Sequence, residues 1–196
     1  MTGTIPRSPR GEVVYLRPSE RSDIPLFVRW FADAEVTRFL QLRAPFSEAA
    51  EEKWFDEMTA AQGTKGWHFV ICRLDTDEPI GTAGLFDLDG TGGNAEFGIS
   101  LGEKSAWNQG FGTDALRAIS DFGFGELRLE RIHLQVYAPN TRAIRSYEKA
   151  GFTREGTLRE AHFSEGRYHD IQLMALLRSE WETNGQPKSW ERNGFS

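Results

Sequence analysis

Trp107-Asn-Gln-Gly-Phe-Gly-Thr-Asp-Ala115 is a glycine-rich turn that follows a strand-like run and opens a helix. Gly110 and Gly112 let a ligand approach the backbone with no Cβ in the way. The free N–H groups of the helix start, at the positive end of its dipole, suit a phosphate. Glycine also serves any tight loop, so a plain turn is the alternative. Gly110-Phe-Gly112-Thr-Asp-Ala115 spells the dinucleotide pattern G-x-G-x-x-A, with Glu130 twenty residues on. The context is wrong for it, because Glu130 precedes the next strand and antiparallel runs precede the motif. A phosphate-loop lysine is absent as well.

Upstream of this turn, 67–74, 80–88 and 94–101 are short β-rich runs separated by Asp75-Thr-Asp-Glu-Pro79 and Asp89-Gly-Thr-Gly-Gly93, which predicts a three-strand antiparallel meander. Further back, Val13 to Arg17 reads as a strand closed by Pro18. Ser22 caps a helix through Leu26, Phe27, Trp30 and Phe31, and Ser47 begins another through Trp54, Phe55 and Met58. Downstream, Ala115, Leu116, Ile119 and Phe122 share a helical face, weakened at Gly123 and Gly125. Arg131 to Tyr137 alternates as a strand, and Asn140 opens a helix that Gly151 ends. Thr153 to His162 and Tyr168 to Leu177 form a closing hairpin. The order predicts a mixed α/β domain with too many successive strands for a doubly wound parallel sheet.

The 196 residues are 39% hydrophobic and 27% charged, enough for one core. Residues 1–10 read as a disordered leader, 11–181 as one domain and 182–196 as a polar tail. The longest apolar run is Leu173 to Leu177, too short to span a membrane, and no secretory signal is visible, so a cytoplasmic location is expected. The net charge of −6 argues against a partner bound through nucleic-acid phosphates and suits a cationic one. Cys72 stands alone and reads as a buried thiol. The four histidines are scattered, with no metal-binding spacing. Gly98-Ile-Ser100-Leu-Gly102 spells the nucleophile elbow G-x-S-x-G, but about ten residues of loop separate Ser100 from the next helix and no oxyanion segment accompanies it. A serine hydrolase is therefore a distant alternative.

Asn140-Thr-Arg-Ala-Ile-Arg-Ser-Tyr-Glu-Lys-Ala-Gly-Phe152, some thirty residues after the glycine-rich loop, resembles the GNAT superfamily of acetyl-CoA-dependent N-acetyltransferases. Leu16-Arg-Pro18, Asp23, Trp30, Glu155-Gly-Thr-Leu-Arg159, Gly166, Asp170 and Met174 further resemble its RimJ/RimL-like branch, which acetylates ribosomal-protein N-termini and has close relatives acting on spermidine. Trp107 stands where the family pattern has Arg or Gln, which puts one side-chain contact in doubt.

The resemblance implies a mostly antiparallel central sheet in which the strand 94–101 splays from 131–137, leaving backbone groups of Ile99, Ser100 and Leu101 for the pantetheine arm and the thioester oxygen. Backbone donors of Gln109, Gly110, Phe111, Gly112 and Thr113 would hold the diphosphate. Asn140 would bond the pantetheine, or serve as an N-cap, or both. Arg142 and Arg145, with Lys149, would meet the 3′-phosphate or remain solvated. Tyr147 would be the general acid that returns a proton to sulfur, its alternative being a core tyrosine. Glu96 matches the position of a base or water-holding carboxylate, its alternative being a solvated strand residue. His133, Glu160, His162 and Asp170 stay unranked on the substrate side.

The expected reaction is direct transfer from acetyl-CoA to an amine, without a metal or a covalent enzyme intermediate. A protein N-terminus is the first choice of acceptor and a small amine such as a polyamine the next. A homodimer is compatible with this, and a non-catalytic acetyl-CoA sensor is the rival. Loops such as 39–45 and 161–168 would set acceptor identity.

Overall fold

The computed structural model describes residues 8–42 and 44–192. Seven strands form one sheet in the order β1-β2-β3-β4-β5-β7-β6, antiparallel at every junction except β4–β5. Their ranges are β1 Val14–Pro18, β2 Trp67–Arg73, β3 Pro79–Asp89, β4 Asn94–Leu101, β5 Arg131–Tyr137, β6 Thr153–Ser164 and β7 Arg167–Leu177. The helices are α1 Ile24–Phe31, α2 Ala34–Thr37, α3 Glu48–Ala61, α4 Phe111–Asp121, α5 Thr141–Lys149, α6 Arg178–Thr183 and α7 Ser189–Arg192. None of the described helices is long and apolar enough to cross a membrane.

Alternation along the strands feeds two cores. Leu85 and Phe97 on one face meet Leu116 and Ile119 of α4 and Ile144 and Tyr147 of α5. Val70 and Cys72 on the other face meet Phe27 and Trp30 of α1, with Trp54 of α3 alongside. Because helices cover both faces, β2 is buried almost continuously. The Cys72 thiol is buried and unpaired by disulfide, as its apolar neighbours suggest.

Three boundaries differ from the sequence expectation. The first helix does not start from a Ser22 cap. A 3-10 turn, Arg21–Asp23, comes first, because the Asp23 carboxylate is bonded to Arg17 Nη1 and Nη2 (2.8 and 2.7 Å) and to Glu20 N (2.8 Å), and Pro25 then fits the first helical turn. After α4 the chain passes into a π-helical turn over Phe122–Glu126, where the glycines stand. The packed unit also runs past Trp181. Asp121 accepts bonds from Trp181 Nε1 (2.8 Å), Ser189 N (2.7 Å) and Ser189 Oγ (2.9 Å), and Trp190 packs on the same core, so 182–190 is more than a polar tail. At the other end, Pro9 O accepts from Leu16 N (2.8 Å); the earlier part of the expected leader, 1–7, lies outside the described residues.

His68 gives this fold a readable acid sensitivity. It is 6% exposed among Trp54, Phe27 and Phe86, with Nδ1 2.8 Å from Ser19 Oγ, and burial pushes its pKa down to about 4 against the opposing pull of Asp23. The folded state therefore binds fewer protons than the unfolded chain between about pH 4 and the ordinary histidine value of about 6.5. The stabilisation is complete above the unfolded value and is lost as pH falls toward the folded one. We expect His68→Gln to reduce the stability lost between pH 7 and pH 5 by about 2 kcal/mol, read from urea unfolding at both pH values. An unchanged difference between the two pH values would remove His68 from the acid response.

Candidate active site

β4 and β5 pair only through Asn94–Arg131, Ala95–Ile132 and Glu96–His133. Beyond Glu96 the strands diverge, so backbone groups of 97–101 and 134–137 that would have bonded each other have no partner across the gap. A cavity of about 630 Å³ opens there. Its walls are the rest of β4, the end of β5, the loop and first turn of α4, and the exposed side of α5. The α2 region, with Glu35, Val36, Phe39, Leu40 and Gln41, closes the far side.

The anion cradle is built locally. Gly110 is the N-cap of α4 at φ 90°, a left-handed conformation that costs glycine little, and Asn108 before it is also left-handed at φ 61°. Asp114 N closes the first turn on Gly110 O at 3.0 Å. That leaves the N–H groups of Phe111, Gly112 and Thr113 without a helical acceptor, at the positive end of the dipole. Gly110, Gly112 and Thr113 line the cavity.

The structure assembles most of the expected residues there. Glu96, Ile99, Ser100 and Leu101 line it from β4, and Asn140, Arg142, Arg145 and Tyr147 from α5. Asn140 Oδ1 accepts from Ala143 N at 3.2 Å, so it caps α5 while its Nδ2 is left for a ligand. Two side chains of the cradle stretch point elsewhere, which leaves the expected backbone donors as they were. Gln109 does not line the cavity, because its amide donates to Ser105 O within the loop. Phe111 is 7% exposed in the core with the Arg73 guanidinium 5.1 Å over its ring, so only its backbone N–H faces the cradle.

Tyr147 and Glu96 approach the gap from opposite faces of the sheet. Tyr147 lies on the α4–α5 side, its ring edge-on to Phe97 at 6.3 Å and 6.2 Å from Phe152. It is 8% exposed, no described group bonds its hydroxyl, and burial raises its pKa above the ordinary tyrosine value. Glu96 is on the alternate face of β4, level with Phe86 and at the apex of the splay. Its partner across the apex, His133, has a buried Nδ1 with no bond to a described residue.

Ser100 sits inside β4, paired with Thr82, and α4 begins only at Phe111, so the elbow geometry of a hydrolase is absent. Glu160, His162 and Asp170 stay outside the cavity: Asp170 Oδ1 accepts from Glu160 N (2.9 Å) and His162 stacks on Tyr137 at 3.7 Å. The described residues hold no cluster of three or more potential metal ligands.

Sequence reading missed Trp107 as a positive contributor, and it missed the contacts that join distant loops. Trp107 Nε1 donates to Leu101 O at 2.9 Å, and the Arg142 guanidinium lies 4.1 Å over its ring. Arg38 binds Glu165 through two nitrogens (3.0 and 3.3 Å), tying the segment before 39–45 to the turn of the β6–β7 hairpin. Lys104 Nζ holds Asp33 (2.7 Å) and Glu35 (3.2 Å), and the Asp33 carboxyl is lowered by that ammonium. No motif marks these pairs, and all but Trp107–Leu101 join residues far apart in sequence.

A parallel strand pair that splits beside a helix-start anion cradle, with free cations on the next helix, defines a domain that grips an elongated phosphate-bearing carrier. Residues 14–153 match the acetyltransferase (GNAT) domain family, and the chain belongs to it. Over 172 residues it is 32% identical to a Bacillus licheniformis protein named uncharacterized N-acetyltransferase p20, covering 87% of this chain and 96% of that one. It is 29% identical to the spermidine N(1)-acetyltransferase of Escherichia coli K12 over 91% of this chain and 95% of the relative. The spermidine N-acetyltransferase of Vibrio cholerae, solved with CoA and spermine, superposes with a TM-score of 0.80 at 25% identity, covering 87% and 98% of the two chains. The protein is an N-acetyltransferase with acetyl-CoA as co-substrate. The cradle, the unpaired strand edges and the cations of α5 fit that molecule's diphosphate, its amide-bearing arm and its remaining charge.

Proposed function

We propose that the enzyme acetylates a small primary amine that carries a further positive charge, with Glu96 and Tyr147 acting from opposite faces of the splay. The observation that carries this reading is Glu96 at the apex of the gap, in one cavity with the α4 cradle, Tyr147 and a second carboxylate, Glu35. Acetyl-CoA supplies an activated thioester carbonyl.

An alkylamine has a pKa near 10.4 and is mostly an ammonium at pH 7, so it must lose a proton before it attacks. Glu96 takes that proton directly or through water. Unpaired N–H groups on β4 stabilise the charge that develops on the carbonyl oxygen. As the N–C bond forms and the C–S bond breaks, Tyr147 donates to the departing sulfur. Glu35, shared with Lys104, and Glu96 give the acceptor side its acidic groups. The relatives named for spermidine support the same class of acceptor. The Rim-type resemblance gives a protein N-terminus as the second reading.

Thiol release on a panel of spermidine, a monoamine and an N-terminal ribosomal-type peptide tests the choice. The expected order is diamine or polyamine first; preference for the peptide would overturn it. Glu96→Gln should lower kcat/KM by about 100-fold at pH 7, shrinking toward pH 10 as the neutral share of the acceptor grows. A deficit that stays constant with pH would exclude proton removal by Glu96.

A further inference from the structure

We infer that Trp107 and Arg142 form one unit, in which Trp107 positions the Arg142 guanidinium from α5 over the anion cradle, and that the group it holds is the diphosphate of the cofactor. The inference rests on the acetyl-CoA site described above and adds to it the source of a missing charge. The stretch Trp107 to Thr113 contains no lysine or arginine, and Gln109 is turned to Ser105. The cradle itself therefore offers a diphosphate backbone N–H groups and the neutral side chains of Asn108 and Thr113, but no positive charge.

Trp107 replaces a charge with a platform. Its indole is fixed at the end of β4 by the 2.9 Å bond to Leu101 O, and Arg142 lies 4.1 Å over the ring, closer than the other described arginine–ring contacts at 5.1–5.9 Å. A guanidinium held over a ring face by its charge does not use its N–H groups as donors to that ring's edge, so they remain for an anion. No described residue accepts a hydrogen bond from the Arg142 side chain, although it lines the cavity.

The placement selects the diphosphate over the 3′-phosphate. Arg117 Nη2 reaches Lys149 O at 3.2 Å, and Arg142 reaches back to the loop that precedes α4. The two helices therefore run side by side in the same direction, with Arg142 level with the first turn of α4. Arg145 and Lys149 lie about one and two turns further on, where they can meet the cofactor's other end.

The test is binding of CoA, of dephospho-CoA, which keeps the diphosphate and lacks the 3′-phosphate, and of pantetheine, which has neither. Arg142→Gln should raise Kd for CoA and dephospho-CoA alike by about tenfold and leave pantetheine unchanged. Trp107→Ala should do the same, and the double variant should be no worse than either single one. Trp107→Phe keeps a ring but loses the tether and should fall between. Arg142 is exposed, so Arg142→Gln should melt within about 3 °C of wild type without ligand, which keeps the test valid if Trp107→Ala fails to fold.

A loss confined to CoA would assign Arg142 to the 3′-phosphate, and no loss would make it a solvated charge. Losses that multiply in the double variant would separate the two residues. Any of these overturns the proposal. A wild-type protein that binds neither CoA nor dephospho-CoA would instead sink the acetyl-CoA site itself, and this inference with it.

Discussion

Tyr147→Phe is expected to lower kcat by about 100- to 1,000-fold while Kd for acetyl-CoA moves less than about threefold. The ring that packs between Phe97 and Phe152 is kept, so the core is undisturbed and only the hydroxyl is lost. Nothing described bonds that hydroxyl, hence no buried partner is orphaned by its removal. The direction of the pKa shift sharpens the role. Burial raises Tyr147 above the ordinary value of about 10, whereas a thiol sits near 8.5. The hydroxyl is thus protonated throughout the working range and stabilises the leaving sulfur as a hydrogen-bond donor more readily than by giving its proton away. It follows that kcat should show no alkaline fall from Tyr147 below about pH 9, and the slow rate of the phenylalanine variant should keep the wild-type pH profile. Steady-state rates from pH 6 to 9 check both statements. Unchanged kcat would return Tyr147 to the core, and a changed Kd with unchanged kcat would make it a cofactor contact.

The parts of this site that were legible in sequence are those made by neighbours along the chain. Gly110 and Gly112 mark the cradle because the left-handed N-cap and the free N–H groups are local properties of a loop entering a helix. Asn140 is legible as a cap for the same reason. The meander was legible from alternation and turn residues, and its register follows once both faces have cores. The length of the β4–β5 pairing was not legible from the residues: Phe97 to Leu101 is as strand-like as Asn94 to Glu96, yet the ladder stops at Glu96 and His133. The resemblance to a family supplied that expectation.

Side-chain direction was also beyond the sequence. Phe111 and Gln109 belong to the motif, yet one completes a core and the other bonds its own loop. Trp107 looked like a departure because its meaning depends on Leu101 and Arg142, one strand end and one helix away. The same holds for Arg38 and Glu165, 127 residues apart, which tie the residue before one loop expected to set the acceptor to the other such loop.

Asp114→Ala is expected to cost about 3 kcal/mol of stability, measured as the shift in urea midpoint at constant m-value. The residue sits in the first turn of α4, 6% exposed, and its carboxylate gathers the beginning of β1: Oδ1 accepts from Glu12 N (2.9 Å), and Oδ2 from Val13 N (2.9 Å) and Val14 N (3.0 Å). Hydrogen bonds to a charged acceptor contribute about 1.5–3 kcal/mol each, but Glu12 and Val13 are exposed and water can take their N–H groups. The buried N–H of Val14 has no such recourse, and the negative charge also leaves the helix N-terminus. Gly11 belongs to this arrangement, because a Cβ there would overlap the Asp114 carboxylate. Asp114→Asn should lose less, since its one remaining oxygen still accepts. The bond that closes the first turn uses Asp114 N and Gly110 O, both of them backbone, and survives either change. CoA at about 100 times its Kd should therefore restore about 2.7 kcal/mol to the folded variant, as it would to wild type. A loss below about 1 kcal/mol would mean that the start of β1 rehydrates freely. A smaller gain from CoA than in wild type would mean that the cradle depends on the carboxylate after all.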